Sequence, residues 1–274
     1  VWVMRGRADV SNTFYFTSMN GSVFSGNGGG MFNSGSSPSV SNCVFSANSA
    51  NGNGGGMYNY NVSSPVISSC VFSDNAASNG GGMCNNINSS AAISNCVFST
   101  NTANNGGGMY NSASGPPISS CIFSANTAST GSGGGIYYTT NGGGTITNSI
   151  LYGNTGGPAN QKNVYKTGTN RVLTVSYSLI GDYDAAATNN YTATNILVAD
   201  PLFVDAANAG GADGIFGTGD DGLMLQGCSP AINAGTGSTP GTDISGNNRV
   251  GTLDLGAYCL LYTSPSPRDR QKYR

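Results

Sequence analysis

Three sets of residues in this 274-residue chain have the types and spacing to do chemistry. Four thiols, Cys43, Cys70, Cys96 and Cys121, recur about every 26 residues and could bridge to one another or hold a soft metal. Four carboxylates, Asp205, Asp213, Asp220 and Asp221, fall in one Gly-rich stretch, and oxygen donors of that kind suit Ca²⁺. Four rings, Phe32, Tyr58, Tyr110 and Tyr137, each follow a Gly-Gly-Gly-Met or Gly-Gly-Gly-Ile phrase by one residue. An exposed row of rings suits a sugar or a protein partner. The chain has no His, and Asp74 is the sole charged residue between Val10 and Gln161. General acid–base catalysis needs positioned titratable groups, and the first half of the chain offers none in pairs.

The spacings decide how these sets are read. No Cys-x-x-Cys pair exists, which disfavours a zinc site. Thiols on neighbouring parallel strands point the same way and bridge poorly. They are expected to be reduced core residues. The acidic stretch matches no EF-hand. Asp213, Asp220 and Asp221 stand as the Ca²⁺ candidates, against the alternative of solvated carboxylates in Gly-rich turns. Phe32, Tyr58, Tyr110 and Tyr137 are the candidate surface-binding residues, against the alternative of ordinary sheet packing. No catalytic or cofactor-binding residue is assigned. The net charge of −2 comes with no basic stripe, so a nucleic-acid partner is not expected.

What must position these side chains is a repeat. Gly-Gly-Gly-Met stands at 28–31, 54–57, 80–83 and 106–109, and Gly-Gly-Gly-Ile at 133–136. A second phrase, Phe-Ser-x-Asn, runs from Phe24, Phe45, Phe72, Phe98 and Phe123. A period of about 26 residues means a solenoid and is too short for a propeller blade. Each unit holds a β-branched and aromatic run such as Ile93 to Phe98, bounded by Ser, Asn and Gly. No window has helical periodicity. The reading is all-β: a right-handed parallel β-helix, a single-stranded solenoid of about 26 residues per coil with two or three short strands in each. One coil cannot bury enough apolar surface to offset its own ordering, so neighbours must stack.

Stacking predicts columns at the strand spacing of about 4.8 Å. Val40, Ile67, Ile93, Ile118 and Ile146 form one. The four Cys, closed by Ser149, form another. Phe45, Phe72, Phe98, Phe123 and Leu151 form a third, and Met31, Met57, Met83, Met109 and Ile136 a fourth. All four are expected inward, with Val44, Val71, Val97 and Ile122 outward by strand alternation. Asn48, Asn75, Asn101, Asn126 and Asn154 are expected at a turn, tolerating the left-handed conformation and forming an amide ladder. The Gly triplets are expected where backbone approaches backbone. The scarcity of charge fits the same geometry. A charge repeated every coil would meet its copy with roughly 3.5 kcal/mol of repulsion at an effective dielectric of 20.

The Phe-x-x-Asn and Gly-Gly-Gly-Met phrases over 21–155 resemble the repeats of polymorphic outer-membrane proteins. The later phrases resemble, in order, the ending of bacterial choice-of-anchor Q domain proteins: Asp200 to Phe203, Ser229 to Gly235, Asp243 to Arg249 and Asp254 to Tyr258. These resemblances imply a β-helix secreted or held on a bacterial surface, with Asp243, Arg249 and Asp254 pairing to close the last coil. Cys259 to Asp269 (CLLYTSPSPRD) reads as one frame of a transposase sequencing adapter. The expected organisation is therefore a partial coil or cap over 1–20, with strands near Val1–Met4 and Phe14–Phe16, then regular coils over 21–155. Degenerate coils and a closing segment follow over 156–258, and an artefactual tail over 259–274. Signal and anchor segments are expected outside this stretch. No run of apolar residues is long enough to span a membrane, and a monomer is expected. The function expected is a non-catalytic stalk or adhesion module for surface glycans or another surface protein. The alternative is a polysaccharide lyase or hydrolase of pectate-lyase-like fold, on fold analogy alone.

Overall fold

The computed structural model describes residues 3–5, 18–20, 23–27, 29–158, 161–185, 190–237 and 241–260. The fold is all-β, a parallel solenoid. One coil reads Met83–Asn86, Ala92–Ser94, Val97–Ser99 and Thr102–Asn105, which is four short strands where two or three are expected. Among the described residues successive coils keep one strand register, apart from a shift between Ser25 and Gly26. Met31, Met57, Met83, Met109, Ile136 and Val164 are successive partners in one six-stranded sheet. The Ile and Phe columns pair in the same way in the larger sheet. The strand expected near Val1–Met4 is Val3–Arg5, paired with Val23–Ser25. The one expected at Phe14–Phe16 lies outside the described residues. No helix of the described residues is long and apolar enough to cross a membrane.

The interior is built from the expected columns. Phe45, Phe72, Phe98 and Phe123 stack face to face at 4.7, 4.6 and 4.5 Å, with their planes within 4°. The spacing is that of the strands, so the rings stack because the backbone register carries them there. The four Cys are buried thiols. The Cys70 thiol donates to Ser68 O at 3.2 Å and accepts from the Cys43 N–H at 3.5 Å. Ser149 Oγ takes the same place, accepting from Cys121 N at 3.1 Å, and it does not close the column as expected: Ser178 Oγ continues it, accepting from Ser149 N at 3.2 Å.

The Asn ladder forms inside the coil. Asn75 Nδ2 donates to Asn101 Oδ1 and to Phe45 O, both at 2.9 Å. The same pattern recurs along the column, so each amide ties its coil to both neighbours. The left-handed backbone, however, falls one residue earlier, at Ala47, Asp74, Thr100 and Ala125. That twist turns the following Asn inward. A second left-handed corner precedes each column Cys and Ser149, at Asn42, Ser69, Asn95, Ser120 and Asn148. The ladder continues from Asn154 to Asn163 Oδ1 at 2.6 Å, and Asn163 Nδ2 donates to Asp182 Oδ1 at 2.6 Å. A carboxylate thus ends the row. The third Gly of each triplet sits where coils nearly touch. A Cβ on Gly82 would stand 2.6 Å from Gly108 O and 2.9 Å from Phe98 Cδ1.

Two regions depart from the regular coils. Leu173–Ile180 is one continuous strand that bends at Tyr177 and serves two columns of the preceding coil. The stack's last strand among the described residues is Thr192–Leu197. Beyond it the chain does not continue the stack. It runs back along the outside and packs Phe203, Leu223, Leu225, Ala231, Leu255 and Tyr258 against Val71, Val97, Ile122, Ile150 and Leu179. The outward Val column is therefore buried, with Val97 and Ile122 fully enclosed. Gly256 makes the close fit possible. It has φ +88°, and a Cβ there would meet Ile122 Cγ1 at 2.9 Å.

Candidate functional site

The four predicted rings lie in one register on the outer face of the Met sheet: Phe32, Tyr58, Cys84, Tyr110, Tyr137 and Tyr165. Cys84 breaks the row into two groups. Phe32 and Tyr58 lie 5.3 Å apart with Tyr60 beside them, and Tyr110, Tyr137 and Tyr165 follow at 5.2 Å steps. Tyr60 and Tyr165 were not singled out by sequence, although Tyr165 follows Val164 as the others follow Met. Tyr110 and Tyr137 are nearly parallel, at 13°. Their faces cover one another along the stack, so edges and phenolic hydroxyls meet the solvent. Partial burial raises the pKa of Tyr58, Tyr110 and Tyr137. These three keep their phenolic protons more firmly than a free tyrosine and offer hydroxyl donors and acceptors.

The Ca²⁺ candidates are engaged by turn amides. Asp213 Oδ1 accepts from Ile215 N at 2.8 Å, and Asp220 Oδ2 from Ala212 N at 2.9 Å. Thr218 donates to Asp220 Oδ1 at 2.7 Å, and these contacts hold the Asp220 carboxyl below its ordinary value. Asp221 is fully buried. Its Oδ2 accepts from Gly217 N at 2.6 Å, Thr218 N at 3.0 Å and the Tyr258 hydroxyl at 2.8 Å. Among the described residues no three His, Cys, Asp or Glu side chains gather in a way that could hold a metal ion.

Asp243, Arg249 and Asp254 come together, buried, but not on the last coil and not as direct pairs. The guanidinium of Arg249 donates to Asn95 Oδ1 at 2.7 Å, Gly256 O at 2.9 Å and Asp254 O at 3.4 Å. Asp243 accepts from the amides of Ser245, Asn247 and Cys259, and Asp254 from those of Asn233 and Leu260. The trio locks the returning segment and docks it on a mid-stack corner. Burial pulls the Arg249 pKa down, opposed by Cys259, Asp243 and Asp254. Cys259 and Leu260, expected to begin an inert tail, supply two of these backbone donors; 261–274 lie outside the described residues.

Between the segment and the stack lies a cleft of about 320 Å³. Ser68, Ser94 and Ser119 form its strand wall, Ser69, Asn95, Ser120 and Asn148 its corner, and Thr242, Arg249 and Leu253 part of its far side. Sequence reasoning missed it, because only the return of 199–259 creates the second wall. A further polar column was also missed. Asn33, Asn59, Asn85 and Asn111 form a buried ladder at 2.8 to 2.9 Å. The repeated Met-x-Asn phrase carried that signal. The column continues to Tyr138 and to Lys166, whose ammonium donates to Gly168 O at 2.9 Å. Neither a known family model nor a curated protein matches the sequence.

Proposed function

We propose that the chain is a non-catalytic β-solenoid of a secreted or surface-held bacterial protein. It acts as a rigid stalk whose tyrosine rail binds surface glycan. The observation that carries this reading is the in-register row Tyr110, Tyr137 and Tyr165, half-buried, with ring centroids repeating every 5.2 Å. Rigid rings cost little entropy to hold and present both an apolar edge and a polar tip. The resemblance of the closing phrases to choice-of-anchor Q domain proteins supports the surface location. The stack itself supports the stalk: its interior amides and thiols are engaged coil to coil.

The test is an array of bacterial surface polysaccharides probed with the wild type and with Tyr110→Ser/Tyr137→Ser/Tyr165→Ser. Wild-type binding that the triple variant loses, with the circular dichroism unchanged, is the expected result. Equal binding by both, or none by either, removes the rail from the reading and leaves the stalk. Release of reducing or unsaturated ends from any polysaccharide overturns the non-catalytic assignment.

A further inference from the structure

We propose that the cleft between the serine columns and the returning segment is a binding site for a neutral sugar residue. The site is separate from the tyrosine rail and does not depend on it. Its volume, about 320 Å³, is at the small end of ligand pockets.

One wall is a hydroxyl comb. Ser68, Ser94 and Ser119 are register partners on adjacent strands, so their hydroxyls repeat about every 4.8 Å. Ser120 adds a fourth from the left-handed corner. Among the described residues none of these four side-chain hydroxyls has a protein partner, although each is half-buried. The comparable hydroxyls of Ser149 and Ser178, inside the coil, are all engaged. A hydroxyl can donate once and accept twice, so the wall offers donors and acceptors together. That is the pattern which matches another polyol.

The opposite wall fixes the charge preference. Arg249 is the one ionised residue lining the cleft, and its contacts are to neutral oxygens only. Asp243 and Asp254 flank the guanidinium without lining the cleft and offset part of its charge. A cation would meet the guanidinium directly, and an anion would meet a guanidinium already flanked by two carboxylates. A neutral, hydroxyl-rich ring avoids both penalties and can accept from a guanidinium N–H. The corner amides cannot compete for it. Asn95 holds Thr242 O at 2.8 Å through Nδ2, and Asn148 is bonded to Thr236 through both ends of its amide. They brace the cleft's width, Asn95 Nδ2 also donating to Ser69 Oγ at 3.4 Å, and leave the hydroxyls of Ser68, Ser94, Ser119 and Ser120 to a ligand.

The test uses cellobiose, maltose and mannobiose as neutral probes and glucuronate as the charged one, read by ligand-observed saturation-transfer NMR. Three proteins are compared: the wild type, Ser94→Ala/Ser119→Ala, and the rail variant Tyr110→Ser/Tyr137→Ser/Tyr165→Ser. The expected result is transfer to at least one neutral disaccharide. That affinity falls tenfold or more in the serine variant and is unchanged in the rail variant. Each Ser→Ala removes an unpartnered surface hydroxyl, so the melting temperature should hold; Ser94→Val/Ser119→Val, which fills the comb with methyl groups, serves as a second variant. Transfer to no neutral probe, transfer to glucuronate alone, or binding that survives both serine variants overturns the proposal. Binding lost only in the rail variant also overturns it, while leaving the rail reading intact.

Discussion

Tyr258 donates its hydroxyl to Asp221 Oδ2 at 2.8 Å, tying the end of the returning segment to its interior across 37 residues. Both side chains are buried, and Asp221 Oδ1 has no partner. Burial raises the Asp221 pKa above its ordinary 3.8, against the lowering effect of Tyr258 and the amides of Gly217 and Thr218. The folded chain therefore keeps this proton at pH values where the unfolded chain has lost it. Its stabilising contribution is fully present below 3.8 and is lost as the pH rises through the raised folded value. Asp221→Asn keeps the acceptor oxygen and removes the titration. The wild type should lose stability relative to Asp221→Asn as the pH rises from about 3 to 7 in thermal melts. A difference between the two that does not change with pH would show that Asp221 does not titrate in this way.

A buried amide in the middle of the ladder should be costly to remove. Asn101 Oδ1 accepts from the backbone and side chain of Asn75 at 3.0 and 2.9 Å, and its Nδ2 donates to Phe72 O and Asn126 Oδ1. Asn101→Leu strands donors and acceptors on both neighbouring coils. The expected loss is about 3 kcal/mol in urea titration. Asn104→Ala, on the exposed face of the same coil, should cost under about 0.5 kcal/mol. Equal effects of the two substitutions would remove the ladder from the account of stability.

The sequence makes the columns readable because they keep fixed spacings from one another, with Cys or Ser, Phe or Leu, and Asn standing 3, 5 and 8 residues after the Val or Ile of each unit. Ile93, Cys96, Phe98 and Asn101 have counterparts in every coil, and one register places them all. Burial of Val97 and Ile122 is not readable in that way. Strand alternation correctly sends them out of the coil, but their cover comes from Leu223, Leu255 and Tyr258, which obey no period. The left-handed corners before the ladder fail for a different reason. Ala47, Asp74, Thr100 and Ala125 are not of one residue type, so the turn is imposed by the Asn that follows rather than by the residue that twists. The cleft is hidden for the same reason as the Val cover. Ser94 and Arg249 are 155 positions apart, and no local pattern links them.

Glycine should matter by position rather than by number. A methyl group on Gly82 would clash with Gly108 O at 2.6 Å and with the Phe98 ring, both fixed by the stack. Gly82→Ala should therefore force the coils apart and cost more than about 2 kcal/mol. Gly52→Ala finds no atom within 4 Å and should be neutral or slightly stabilising. Comparing the two melting temperatures tests the close approach directly. A tolerated Gly82→Ala would mean that the coils stack more loosely than the backbone distances show.

The thiols give a count that tests the register itself. Of the seven cysteines, Cys228 alone is exposed; Cys43, Cys70, Cys84, Cys96, Cys121 and Cys259 are buried. Burial raises the pKa of Cys84 and Cys96, and it pushes Cys259 up to about 12, helped by Asp243. These groups are kept as thiols, and the thiolate is the form that reacts. A thiol reagent at neutral pH should therefore label one position rapidly in the folded protein, and mass mapping should place it at Cys228. Under denaturing, non-reducing conditions the count should rise to seven. Fewer than seven would mean a bridge that the inward column excludes, because each column sulfur already donates to the carbonyl two residues before it. Rapid labelling of Cys70 or Cys96 in the folded protein would place that column outside the coil, and the Phe and Ile columns would move with it.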